Sequence, residues 1–169
     1  MHDRVRAARS FALEAHADQR YGTEPYQVHL SAVVAVLRRF GVTDPDLLAA
    51  AWCHDTLEDT GATREALEGA VGARAAELVW RVTNEAGHSR KERNTATYPK
   101  LVADQDAVRV KLADRIANVE ACWASRSNKL FTYHGEYPSF RAALRVAEDE
   151  TLIELWAHLD ELLAWREPT

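Results

Sequence analysis

Apolar residues in this chain recur three and four positions apart, and strict alternation of apolar and polar residues is nearly absent. That period predicts amphipathic helices and an all-α fold, a single helical bundle. The first helix is expected from about Asp3 to Asp18, with Val5, Ala8, Phe11, Ala12, Ala15 and His16 along its inner stripe. A polar loop, Gln19 to Pro25, leads into a second helix from about Tyr26 to Phe40. This helix carries Leu30, Val33, Val34, Val36 and Leu37, and Gly41 stops it. Asp44-Pro45 offers a cap followed by proline at the first helical position, opening a third helix that runs on to Gly61. Thr63 then caps a short helix, and Ala73 to Val82 forms another with Ala76, Val79 and Trp80 as core candidates.

The second half follows the same period with one interruption. Asn84 to Thr97 is the most polar segment and reads as a surface or site-lining connection. A long helix is expected from about Asp104 to Ser125, then irregular or short helical structure from Asn128 to Pro138. Pro138 to Trp165 reads as one helix or two, with Phe140, Leu144, Leu152, Leu155, Trp156, Leu159 and Leu162 turned inward.

One stretch breaks the pattern chemically. Leu47-Leu48-Ala49-Ala50-Ala51-Trp52-Cys53 has no polar face, so its helix should be buried, yet it runs directly into His54-Asp55-Thr56-Leu57-Glu58-Asp59-Thr60. Burying His54 and Asp55 without partners would cost several kcal/mol. Residues four apart share a helical face, so Glu58 should lie over His54 and Asp59 over Asp55. A metal ion would satisfy such a set; a buried His-Asp hydrogen bond with surface acids beyond it is the alternative.

Composition narrows the function classes. The 169 residues, 47% apolar and 28% charged, fit one domain spanning 1–169 with a substantial core. No apolar run approaches the ~18 residues of a membrane span, and the first residues hold no signal-peptide core, so a cytoplasmic protein is expected. A net charge of −5 argues against a general nucleic-acid binder but not against a small anionic ligand. Cys53 and Cys122 form no close-spaced metal or redox motif and read as small buried hydrophobes. Trp52, Trp80, Trp123, Trp156 and Trp165 are enough for a core, and some of them for an interface.

A centre at His54-Asp55 needs ligands from elsewhere. His29 lies early in the second helix, where a core or surface histidine is the plain alternative. Asp114 is the sharper candidate, because it interrupts the apolar frame Val110-Leu112-Ala113-Ile116-Ala117; a local ion pair with Lys111 or Arg115 is its alternative. Two imidazoles and two carboxylates suit Mn²⁺ or another divalent transition metal better than structural zinc.

His29…His54-Asp55…Asp114 resembles the H…HD…D pattern of HD-domain metal-dependent phosphohydrolases. The likeness extends to Ala15-His16-Ala17-Asp18-Gln19, Pro25-Tyr26-Gln27-Val28-His29, His54-Asp55-Thr56-Leu57-Glu58-Asp59-Thr60 and Val110-Lys111-Leu112-Ala113-Asp114-Arg115-Ile116-Ala117-Asn118, in that order. Together they resemble the hydrolase domain of the RelA/SpoT family and its small stand-alone alarmone hydrolases, over about residues 5 to 160. The resemblance implies an HD-type helical bundle with a metal site between central helices. It implies a Mn²⁺-dependent 3′-pyrophosphohydrolase of guanosine tetra- and pentaphosphate, with His29, His54, Asp55 and Asp114 as metal ligands and Glu58 and Asp59 as the catalytic acids. It also implies a small nucleotide as the partner, with Asn118 at the sugar and Lys129 and Tyr133 as a basic-plus-tyrosine pair near it.

The substrate's charge makes Arg90, Lys91 and Arg93, in the polar segment, a candidate binding cluster; a solvated charged face is the alternative. The chain departs from the family where many members carry an Arg two residues after the first motif's Gln, packed on the base. Here Gln19 is followed by Arg20-Tyr21-Gly22 in a loop one residue short, so either Arg20 takes that role or Tyr21 stacks instead. Leu30 replaces a Pro that often follows the first ligand histidine. The same chemistry on another nucleotide, an adenosine alarmone or a nicotinamide cofactor 2′-phosphate, stays open, as does nucleotide sensing without turnover. No synthetase or regulatory domain is recognisable, so hydrolysis alone is expected.

Overall fold

The computed structural model describes residues 3–145 and 149–164; Trp165 lies outside them. In chain order the elements are α1 (Asp3–Ala15), β1 (Arg20–Tyr21), β2 (Glu24–Pro25), α2 (Gln27–Arg39), α3 (Pro45–Cys53), α4 (Thr56–Asp59), α5 (Arg64–Val71), α6 (Ala73–Val82), α7 (Arg90–Val102), α8 (Gln105–Ser125), α9 (Lys129–Leu144) and α10 (Glu150–Leu163). The protein is an all-α bundle, with one two-residue antiparallel pairing, Arg20 opposite Pro25 and Tyr21 opposite Glu24. None of the described helices is long and apolar enough to cross a membrane.

α8 is the axis of the bundle and packs against α2, α3, α6, α7, α9 and α10. Its carboxylate cap is local: Asp104 accepts from the backbone N–H of Asp106, and the helix ends where Arg126 takes φ 51°. Val108, Leu112, Ile116 and Val119, three and four apart, are buried along one stripe of it. α3 lies between α1 and α2, and every residue from Leu47 to Cys53 is buried, as a run without a polar face requires. Asp44 caps it, its side chain accepting from the N–H groups of Asp46 and Leu47, with Pro45 at the first turn. Cys53 and Cys122 are buried free thiols. Trp52 and Trp156 join the core, whereas Trp80 and Trp123 stand at the surface.

Three segments differ from the sequence expectation. The Gln19 to Pro25 loop is a tight hairpin around Gly22-Thr23, with Gly22 at φ 64°, which glycine enters without steric cost. The polar connection from Asn84 contains a real helix, α7, starting at Arg90. Its start signal was present: Ser89 caps the N–H of Glu92, and the Glu92 carboxylate accepts from the N–H of His88, a variant of the reciprocal capping box. Finally α9 runs from Lys129 through Pro138 to Leu144, so one helix crosses the expected boundary at Pro138, and of the two alternatives for the end of the chain the structure has two helices, α9 and α10.

Candidate metal centre

The central motif sits at a joint. α3 ends at Cys53, His54 and Asp55 keep near-helical backbone angles in a turn, and α4 restarts at Thr56 for a single turn. The Asp59 N–H still donates to the Asp55 carbonyl at 2.9 Å, so the expected stacking of Asp59 over Asp55 survives the break. His54 is 3% exposed and its Nδ1 lies 2.8 Å from the Ala51 carbonyl. A carbonyl can only accept, so Nδ1 carries the hydrogen and Nε2 is left to face the site.

α2 brings His29 to the same point. Its Nε2 is 3.1 Å from His54 Nε2, 3.5 Å from Asp55 Oδ2 and 3.4 Å from Asp114 Oδ1. His54 Nε2 is 3.0 Å from Asp55 Oδ2 and 3.7 Å from Asp114 Oδ1. Neighbouring donors around one ion with bonds of about 2.1 Å lie roughly 3.0–3.4 Å apart; three of these five separations fall in that range, and the 3.5 and 3.7 Å ones lie just beyond it. Two ring nitrogens turned toward each other among carboxylates form a mixed N/O set that a divalent metal could bridge. His29, His54 and Asp55 alone could hold one. Asp114, from the middle of α8, completes the group.

The electrostatics of the four side chains follow from the same geometry. Burial by itself would push both histidines down, but the carboxylates of Asp114 and Asp55 outweigh it and raise both above the usual imidazole value. Burial would raise the two acids; the imidazoles, with Lys111 beside Asp114, hold Asp55 and Asp114 well below the usual carboxylate range.

Above the centre lies a polar cavity of about 150 Å³. Glu58 and Asp59 stand on its rim, exposed but held. The backbone N–H and Nδ2 of Asn84 donate to the two Glu58 oxygens at 3.1 and 2.9 Å. Asp59 Oδ2 accepts from Gln19 Nε2 at 2.9 Å and lies 3.3 Å from the Tyr26 hydroxyl. The Asn118 Nδ2 donates to Asp114 Oδ1 at 2.6 Å, and its Oδ1 accepts from the Tyr21 hydroxyl at 2.9 Å. Arg90 and Tyr133 also line the cavity, Arg90 bound to Glu136 at 2.5 Å.

Four of the substrate-binding candidates do not line it, and neither does the buried His54. Arg20 is exposed on β1, and Tyr21 lines the cavity, its ring stacked 4.9 Å from His29. Lys91 faces a separate groove between α7 and α9. Arg93 points back to the carbonyl of Gly87 at 3.5 Å, and Lys129 is exposed in the first turn of α9.

The structure adds residues that sequence reasoning left unassigned. Lys111 Nζ is 3.7 Å from Asp114 Oδ2, and Arg115, 5% exposed, is bound to Glu136 at 2.9 Å. Both line the cavity beside Arg90, placing three cations around an acidic centre. Their flanking of Asp114 was visible only as a local ion-pair possibility. Tyr26 was the clearer omission, since a buried tyrosine needs a partner for its hydroxyl. It donates to Asp55 Oδ2 at 2.6 Å.

Fold and site together define an all-helical protein with two histidines and two aspartates gathered at one point, three of which, His29, His54 and Asp55, could hold a metal ion. The chain belongs to the HD domain family, whose model matches residues 8–138. It is 36% identical over 132 residues to a guanosine-3′,5′-bis(diphosphate) 3′-pyrophosphohydrolase of Aquifex aeolicus, covering 75% of this chain and 19% of that protein. It is 38% identical over 117 residues to the Danio rerio enzyme of that name, MESH1, covering 65% of this chain and 64% of the relative. The chain thus spans about a fifth of the bacterial relative and just under two thirds of the animal one. A solved metazoan ortholog of SpoT has the same fold, with a TM-score of 0.79 over 95% of this chain and 96% of that one at 23% identity.

Proposed function

We propose that this protein hydrolyses the 3′-pyrophosphate of guanosine tetra- and pentaphosphate, releasing pyrophosphate and GDP or GTP. The observation that carries the reading is the juxtaposition of the His29–His54–Asp55–Asp114 group with two fixed carboxylates on one rim and three cations around the same cavity. The relatives supply the substrate, since the Aquifex and Danio proteins are named for this reaction and the metazoan ortholog hydrolyses ppGpp.

His29, His54, Asp55 and Asp114 would hold the ion, and this mixed N/O donor set is compatible with Mn²⁺, the metal the family resemblance implies. When bound, it supplies Lewis-acid polarisation of a phosphoryl oxygen and neutralisation of charge. Glu58 and Asp59 are acceptor-only carboxylates at the rim, placed to take a proton from the attacking water and to return one on the leaving side. Lys111, Arg115 and Arg90 balance the charge of the polyphosphate, and Asn118 fixes the sugar side. Tyr21 stacks on His29 and Arg20 does not line the cavity, so this hairpin does not supply the arginine that the family resemblance puts on the base, which favours a tolerance for other bases at this site.

Purified protein reconstituted with Mn²⁺ should release pyrophosphate from guanosine tetraphosphate. No turnover at micromolar enzyme would overturn the reading. A parallel panel of adenosine alarmones and a nicotinamide cofactor 2′-phosphate tests the base: a preference for the guanosine compounds of tenfold or more would exclude the relaxed specificity.

A further inference from the structure

We propose that Gln19 and His16 are positioning residues that aim the Asp59 carboxylate, an inference that rests on reading Asp59 as a proton-transfer group. Asp59 needs such help. It is exposed at the end of the single-turn α4, and nothing in that turn's backbone fixes its side chain.

The donor comes from far along the chain. α1 ends at Ala15, the backbone turns so that the Gln19 N–H donates to the His16 carbonyl at 3.0 Å, and Gln19 Nε2 reaches Asp59 Oδ2 at 2.9 Å. A carboxylate only accepts, so the amide must present its nitrogen to Asp59 and its oxygen the other way. That oxygen lies 2.6 Å from His16 Nδ1. His16 must therefore carry its ring hydrogen on Nδ1, and in doing so it locks the amide against a flip that would set oxygen against oxygen.

The His16 ring is itself held. It is 4% exposed and stacks on Tyr26 with centroids 4.7 Å apart and planes 22° from parallel. Its Nε2 is buried with no hydrogen-bond partner. A phenyl ring would make the same stack without leaving a buried nitrogen unpaired, so packing alone does not account for histidine here. The bond to Gln19 does.

Tyr26 cannot substitute for Gln19. Its hydroxyl has one hydrogen, and Asp55 Oδ2 at 2.6 Å is a nearer acceptor than Asp59 Oδ2 at 3.3 Å. Gln19 is then the donor that orients Asp59, and both described neighbours engage Oδ2. Oδ1 is left for the reacting proton.

The test separates the hydrogen bond from the packing. Gln19→Leu should lower kcat for pyrophosphate release from guanosine tetraphosphate by about ten- to a hundredfold, the range of a misplaced reacting group, with KM within threefold and Mn²⁺ affinity unchanged. His16→Phe, which keeps the stack and loses the donor, should match it. His16→Asn, whose Nδ2 overlaps the position of Nδ1, should keep most of the activity. In an Asp59→Asn background, Gln19→Leu should cause no further loss. Wild-type kcat in Gln19→Leu, a loss confined to KM, or an undiminished loss in the Asp59→Asn background would each overturn the proposal.

If the wild-type protein does not turn over guanosine tetraphosphate, the functional reading fails separately. The positioning contact is then read by NMR of the Gln19 side-chain amide. Its shifts should move in Asp59→Asn and His16→Phe and hold in His16→Asn; unmoved shifts in the first two would overturn it.

Discussion

The hydroxyl of Tyr26 donates across 2.6 Å to Asp55 Oδ2, the same oxygen that lies 3.0 Å from His54 Nε2. A residue at the head of α2 thereby orients a carboxylate at the α3–α4 joint, directly beside the imidazole it would share an ion with. Partners of this kind are worth about ten- to a hundredfold in metal affinity. Tyr26→Phe keeps the buried ring and should weaken Mn²⁺ binding by that factor while leaving the helical circular dichroism intact. Calorimetric titration with Mn²⁺ reads it, and unchanged affinity would count against the Tyr26–Asp55 bond as a determinant of the centre.

Glu58 and Asp59 approach the cavity without touching the histidines. Glu58→Ala and Asp59→Ala should each leave Mn²⁺ affinity within a few-fold of wild type and cut turnover by about 10²–10⁴, the usual contribution of a positioned acid or base. Normal hydrolysis in both variants would remove them from the reaction.

Asp114 reaches the centre only because α8 is packed on its opposite stripe. Leu112, two residues away and fully buried, anchors that stripe. Leu112→Ala should cost about 2–5 kcal/mol in urea unfolding, since a buried leucine leaves both lost contacts and a cavity. A cost under 1 kcal/mol would mean that α8 repacks freely.

Acid should destabilise the fold through Glu136. Burial would raise its carboxyl, but the hydrogen bond from Arg90 and the charge of Arg115 outweigh that and lower it in the folded protein. A folded pKa below the unfolded one, about 4.3, means the folded state binds fewer protons. The stabilisation is complete above the unfolded value and is lost as pH falls through the folded one. Urea midpoints should drop as pH is taken below about 4.5, and Glu136→Gln should drop less steeply. An identical slope in the variant would assign the acid sensitivity to other carboxylates.

Much of this was legible in the sequence because helices announce themselves locally. The 3.6-residue period marked α1, α2, α3, α6 and α8, and Asp44-Pro45 and Thr63 marked two starts. The apolar run before His54 called for partners to His54 and Asp55, and the structure buries His54 while leaving Asp55 half-buried beside it. α7 was missed because its polar residues outweighed the Ser89–Glu92 start signal, and α9 because Pro138 reads as a break. The Gly22-Thr23 hairpin is too short to show alternation.

The site divides in the same way. His54, Asp55, Glu58 and Asp59 are neighbours in the chain, and the Asp55–Asp59 backbone hydrogen bond keeps the expected stacking of that pair across the α3–α4 joint. Sequence also singled out His29 and Asp114 as polar residues in apolar frames. Which side chains meet across elements was decided only by tertiary packing. The stack of Tyr21 on His29, the reach of Gln19 to Asp59, the bond from Tyr26 to Asp55 and the place of Lys111 and Arg115 around the cavity all join residues 8 to 40 positions apart, or faces of α8 that only its neighbours distinguish. The same packing left Arg20, Lys91, Arg93 and Lys129 outside the cavity. Charge in a sequence shows what a residue can bind. Where it points depends on which side of its helix or hairpin the core has already taken.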